Sequence, residues 1–145
     1  MKNYKFLVPI LLIALFAGSM YMLSDLKATE QEEYNAVLSV ARDYREKDIQ
    51  VDAENYYMQA LEQKPSAELY LEIGEFYWET QQKKKAIKWG ETIVESYPED
   101  VRGYEFLMGI YHHQQDYAAC FEVAETTQKR QLKSAAIDEI LPRIE

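Results

Sequence analysis

The chain is poor in the residues that build chemistry or cross-links. Cysteine occurs once in 145 residues, at Cys120. A lone thiol excludes an intramolecular disulfide framework and a cysteine-based zinc cluster. It reads as a small apolar packing residue. Histidine occurs twice, at the adjacent positions His112 and His113. Neighbours on a helix point about 100° apart, so the pair does not close on one metal ion. His112 and Asp116 have helical spacing, but two ligands make no metal site, and none is assigned. Positive charge is scarce as well. There are 16 Lys and Arg against 25 Asp and Glu, a formal net charge of -9. That balance excludes a nucleic-acid binder, because phosphate contacts need a basic surface. There is no phosphate-cradling G-x-x-x-x-G-K-[ST] loop. The sequence therefore assigns no catalytic residue and no cofactor, and reads as a non-enzyme. With only 5 Gly and 4 Pro, turns are few and helices dominate.

What is present begins with "FLVPILLIALFAGSMYML", Phe6 to Leu23, which is 18 residues without a charge. About 20 apolar residues cross a bilayer core as a helix. Lys2 and Lys5 precede the run, while Asp25, Glu30, Glu32 and Glu33 follow it. The positive-inside rule then predicts a single-pass signal anchor at 6–24 in the cytoplasmic membrane. Residues 1–5 form its cytoplasmic basic tip, and everything after it lies on the extracytoplasmic side. Cleavage near Ala17-Gly18-Ser19 is the alternative, and leaves a secreted soluble protein. Ala14 and Gly18 form a small-xxx-small pair that suggests weak homodimerisation through the same helix.

After a linker at 25–33 the chain repeats itself. "AENYYMQALEQKP" starts at Ala53, "AIKWGETIVESYP" at Ala86 and "CFEVAETTQKRQL" at Cys120, at spacings of 33 and 34 residues. Each phrase follows another amphipathic stretch. The apolar sets are Val37, Val40, Ala41 and Tyr44; Tyr70, Ile73, Gly74 and Tyr77; Tyr104, Leu107, Met108 and Tyr111. All follow the i, i+3, i+4, i+7 rule of a one-sided helix. Ser66, Asp100 and Asp116 stand where N-caps belong, and Ser134 precedes a short last helix, Ala135 to Leu141. Thr29 with Glu32 reads as a capping box that starts the first soluble helix.

Gly74, Tyr77, Ala86 and Pro98 carry a resemblance to the tetratricopeptide repeat (TPR) family, whose 34-residue unit is a helix–turn–helix. Ala53, Tyr57, Ala60 and Pro65 extend it into the first copy, and Tyr111, Asp116, Tyr117 and Ala124 into the third. Gly90 and Ile93 depart from the pattern, and Met108 stands where a glycine is usual. The expected fold is all-α. An N-terminal transmembrane helix leads into an α-solenoid of about three TPR hairpins (34–66, 67–100 and 101–133, together 34–133). Residues 134–145 are a capping helix or the junction to a further domain.

The resemblance implies a protein or peptide partner held in the concave face formed by the first helix of each hairpin. The positions it places there are Asn35, Leu38, Arg42 and Arg45 in the first hairpin, then Glu68, Leu71, Glu75, Trp78 and Glu79 in the second. Arg102, Glu105, His112 and His113 complete the set. Glutamates around an indole favour a basic segment. The expected function is an extracytoplasmic scaffold on a bacterial cell envelope. The alternatives are a secreted adaptor, or the anchoring and spacing part of a larger envelope protein, with Ile137, Ile140, Leu141 and Ile144 at the junction.

Overall fold

In the computed structural model, backbone is described for residues 7–143 and side chains from Phe16 onward. The order is α1 (Leu7–Glu46), α2 (Gln50–Gln63), α3 (Ala67–Glu79), α4 (Lys83–Ser96), α5 (Val101–His113), α6 (Tyr117–Lys129) and α7 (Ala135–Ile140). A 3-10 turn at Leu141–Arg143 follows, and no strand occurs among the described residues. The C-terminal part of α1 pairs with α2, α3 pairs with α4, and α5 pairs with α6.

One local device makes each of these hairpins. Asp48, Gln81 and Gln115 have φ of 56°, 60° and 60°, and Gln131 repeats it with 59° after α6. Backbone bonds close the turn behind each one. Gln82 N–H donates to the Tyr77 carbonyl at 2.8 Å, and Gln81 N–H to the Trp78 carbonyl at 3.1 Å. This is the Schellman ending, in which a left-handed residue satisfies the last helix carbonyls. None of the four is glycine, so each carries a backbone cost of about 1 kcal/mol.

Helix starts follow the side chains expected to make them. Ser66 Oγ accepts from Leu69 N–H at 3.2 Å, Asp116 from Ala119 N–H at 3.1 Å, and Ser134 from Ile137 N–H at 3.1 Å. Asp100 accepts from Arg102 N–H at 3.1 Å. Thr29 is different. It lies inside α1, and its hydroxyl donates to the Asp25 carbonyl at 3.0 Å. No helix starts there, because Asp25 to Glu33 has neither Gly nor Pro to break the 40-residue helix.

The core is a layer of small residues keyed by large ones. Ala41, Ala53, Ala60 and Ala86 are fully buried, and Tyr57, Ile73, Phe76 and Tyr77 fill the space between them. Around the third hairpin Tyr104, Leu107, Met108, Cys120 and Ile137 form a second cluster. In α1 the packed stripe runs through Leu38 and Ala41. Leu38 is only 7% exposed and belongs to the core, whereas Val40 is 36% exposed and lies on the flank.

From Phe16 to Leu26, α1 has no such packing. Phe16, Met20, Tyr21, Met22, Leu23 and Leu26 are all exposed. Among the described residues no helix is long and apolar enough to cross a membrane. This corrects the expected single-pass anchor at 6–24, with its N-terminus inside and its repeats outside. Beyond it the same helix turns charged at Asp25 and Lys27. Phe6 and the basic tip at 1–5 lie outside the described residues, as does Ile144. Nothing lies within 4 Å of a Cβ placed on Gly18, so that half of the small-residue pair is unpacked.

Candidate functional site

Helix α3 carries Glu68, Glu72, Glu75 and Glu79 at spacings of 4, 3 and 4 residues, which sets them in one stripe along the helix. The C-terminal part of α1 runs beside it and supplies two guanidinium groups. Arg42 Nε and Nη2 donate to the two Glu72 carboxylate oxygens, both at 2.7 Å. Arg45 Nε and Nη2 donate to the Glu79 oxygens at 2.8 and 2.6 Å. Both are fork-to-fork pairs, the geometry in which arginine binds carboxylate most strongly.

Tyr57 supports the ladder from below. Its ring is in the core, its hydroxyl donates to Glu72 Oε1 at 2.9 Å, and the hydroxyl oxygen in turn accepts from Arg45 Nη1 at 3.5 Å. Burial lifts the Tyr57 phenol to about 12. Burial also works to raise Glu72, but the hydrogen bonds from Arg42 and Tyr57 and the two positive charges outweigh it and hold the carboxyl below its usual range. Arg45 is held firmly protonated by its bond to Glu79, against the opposing effect of burial.

Glu75 sits between these two pairs and has no ion-pair partner among the described residues. Partial burial pushes its carboxyl up. Arg45 opposes that shift, and the charges of Glu79 and Glu72 add to it. Of the four glutamates in the stripe, Glu72 and Glu79 are neutralised, while Glu68 and Glu75 have no ion-pair partner among the described residues.

The remaining expected site residues are scattered. Asn35 accepts from Gln31 Nε2 at 2.9 Å within α1, and Leu38 is in the core. Leu71 is half-buried and Glu68 exposed. Trp78 is half-buried, not free. It meets the His113 ring edge-on, with centroids 5.1 Å apart, and Lys83 Nζ lies 5.9 Å from its ring centre. His112 is half-buried beside it. Arg102 forks onto Asp100 at the start of α5, at 2.9 and 2.6 Å. Glu105 accepts from the Ser134 hydroxyl at 2.6 Å and ties α5 to the C-terminal cap. The structure therefore brings together Arg42, Arg45, Glu75 and Glu79, and sets Trp78 with His113. It does not bring Arg102 and Glu105 into that ladder by any ion pair.

Two participants were not among the expected site residues: Glu72, and the Tyr57 hydroxyl. Glu72 was visible as the missing step between Glu68 and Glu75. The Tyr57 role was not visible, because its ring is a core residue and only its oxygen reaches the ladder. Cys120 is buried, its thiol is pushed up by burial, and it is no nucleophile in this setting.

No family model and no curated protein matches the chain. Among solved structures, the crystal structure of the yeast Tom70 is similar, with a TM-score of 0.62 and 19% sequence identity over 79% of this chain. The match covers 24% of that chain, so the present one spans about a quarter of its length. The likeness supports a TPR-like arrangement of helical hairpins, and concerns the fold alone.

Proposed function

We propose that the chain is a protein-interaction module and that the α1–α3 face binds a peptide segment carrying lysine or arginine. The observation that carries this reading is Glu75, a carboxylate left without a cation between two that have one. Burial and the charges of Glu79 and Glu72 raise its pKa, and Arg45 offsets that only in part. A cationic side chain from a ligand would complete the offset. Exposed Glu68 extends the negative stripe, and half-buried Leu71 and Trp78 offer apolar surface beside it. Charge of this kind steers and selects a partner more than it adds raw affinity.

The test is a titration with a Lys/Arg-rich peptide, followed by calorimetry. Glu75→Lys should weaken binding about tenfold, equivalent to about 1.4 kcal/mol. Its circular dichroism should match that of the parent chain. Undiminished affinity in Glu75→Lys would remove this face from consideration.

A further inference from the structure

The acidic chain has one concentrated exception. Lys83, Lys84, Lys85 and Lys88 place four of its 16 basic residues within the first six positions of α4. Every local rule opposes that placement. Cations are unfavourable at a helix N-terminus. Like charges at i, i+4, such as Lys84 and Lys88, repel. The N-cap Gln82 makes no side-chain capping bond to relieve the helix. Local rules are most often broken where a surface has work to do.

Beside these lysines is a cavity of about 400 Å³ lined by Leu61, Tyr70, Lys85, Lys88, Trp89 and Thr92. It opens between α2 and α4, the second helices of their hairpins, and so belongs to a different layer from the Arg42–Glu72 ladder. The rings that line it, Tyr70 and Trp89, belong to a longer row that Tyr97 and Tyr77 extend outside the cavity. Tyr97 and Tyr70 have centroids 5.9 Å apart, Tyr70 and Trp89 5.4 Å, and Trp89 and Tyr77 6.4 Å. The row continues into the core, so the wall is rigid. The rim charges are unequal. Lys85 Nζ is held by Glu54 at 3.1 Å and lies 4.7 Å from the Tyr77 ring centre. Lys88 is exposed and makes no ion pair among the described residues. Lys84 is likewise exposed and unpaired among them.

The geometry points to a second docking site, in which an acidic peptide segment places an aromatic or branched aliphatic side chain against Tyr70 and Trp89 and its carboxylates on Lys84 and Lys88. The occupant follows from the two chemistries of the site. A rigid aromatic wall rewards an apolar body. Unpaired Lys88 in the cavity lining, with Lys84 one turn away on the same helix, favours anionic neighbours on that body. A nucleic acid fits poorly, since the chain's net charge of -9 repels a long polyanion while a few carboxylates engage only the local patch.

The test uses the full chain and a synthetic peptide with a central phenylalanine flanked by Asp and Glu. The same peptide with alanine at the centre and a single-stranded oligonucleotide serve as comparators. Binding is read from Trp fluorescence and calorimetry. The phenylalanine peptide should bind, and Lys88→Glu should weaken it about tenfold. Lys133→Glu, which makes the same charge change outside the cavity, should leave it unaltered. Thr92→Phe, which narrows the cavity and keeps every lysine, should also weaken it. Lys84→Glu should raise the melting temperature by relieving the helix N-terminus, so lost binding there cannot be blamed on unfolding. Equal binding of the alanine peptide, equal binding of the oligonucleotide, or an unaffected Lys88→Glu would each overturn the proposal.

Discussion

The first and second seams of the array share an apolar core and differ in what edges it. Between α1 and α3 the core is edged by ion pairs, with Arg42 on Glu72, Arg45 on Glu79 and the Tyr57 hydroxyl beneath. Between the second hairpin and α5 it is dry, and depends on side chains that are absent. A Cβ on Gly90 would lie 2.6 Å from Leu107 Cδ2, one on Gly103 2.6 Å from Ile93 Cγ2, and one on Gly74 2.9 Å from Phe106 Cε1. One fold thus tolerates two kinds of joint. The repeat phrase dictates only that hairpins stack, and the seam chemistry is free to vary. A polar seam leaves charge at the surface.

That contrast can be broken from either side. The largest effect should come from the dry seam. Gly90→Tyr installs the residue found at the equivalent place in the first hairpin, Tyr57, and Leu107 already occupies that space. Overpacking should cost about 3 kcal/mol, read as a lower urea midpoint. In the ionic seam, Glu72→Ala leaves Arg42 and the Tyr57 hydroxyl without their acceptor. A loss of about 2 kcal/mol is expected in the same assay. Added salt should shrink that loss and leave the Gly90→Tyr penalty unchanged.

The pH response separates the seams again. The folded-state pKa of Glu72 is depressed, so its contribution is complete above the ordinary carboxylate range. It is lost as pH falls through the lowered value, where the unfolded chain binds more protons. Glu72→Gln should flatten that acid-side fall in melting temperature. A smaller gain, about 0.5 kcal/mol, is expected from Gln81→Gly, which relieves a left-handed residue at the α3–α4 turn. The smallest effect has the reverse sign in pH. The pKa of Glu75 is raised, so its charge opposes folding at neutral pH, and protonation removes the penalty as pH falls. Glu75→Gln should raise the melting temperature slightly at pH 7, and by less in acid.

Most of the fold was legible because it is local. The apolar spacing of Tyr70, Ile73, Gly74 and Tyr77, and the caps Ser66, Asp116 and Ser134, are decided by residues within one turn of each other. The failures come from distance or from ambiguity. Arg42 and Glu72 are 30 residues apart, and no spacing rule pairs them. Gly90 reads as a weak match to the repeat, whereas Leu107 fills its place from the next hairpin. The Thr29 and Glu32 pattern of a capping box occurs equally well inside a continuous helix. The apolar run at the N-terminus was read from its length, its lack of charge and the charges that flank it, and among the described residues no helix meets the requirement of a membrane span. Arg42, Arg45, Glu75 and Glu79 were picked out singly, and their pairing across α1 and α3 was not legible. Trp78 was placed on the concave face, and its contact with His113 comes from α5, beyond the reach of any local spacing rule.

The central claim is that Glu75 awaits a cation from a partner. It is tested most directly by following the Glu75 side-chain carboxyl by NMR across a pH titration, with and without a saturating Lys/Arg-rich peptide. The account predicts a midpoint above the ordinary glutamate value in the free chain and a clear downward shift when the peptide is bound. A midpoint that the bound peptide leaves unmoved would contradict it.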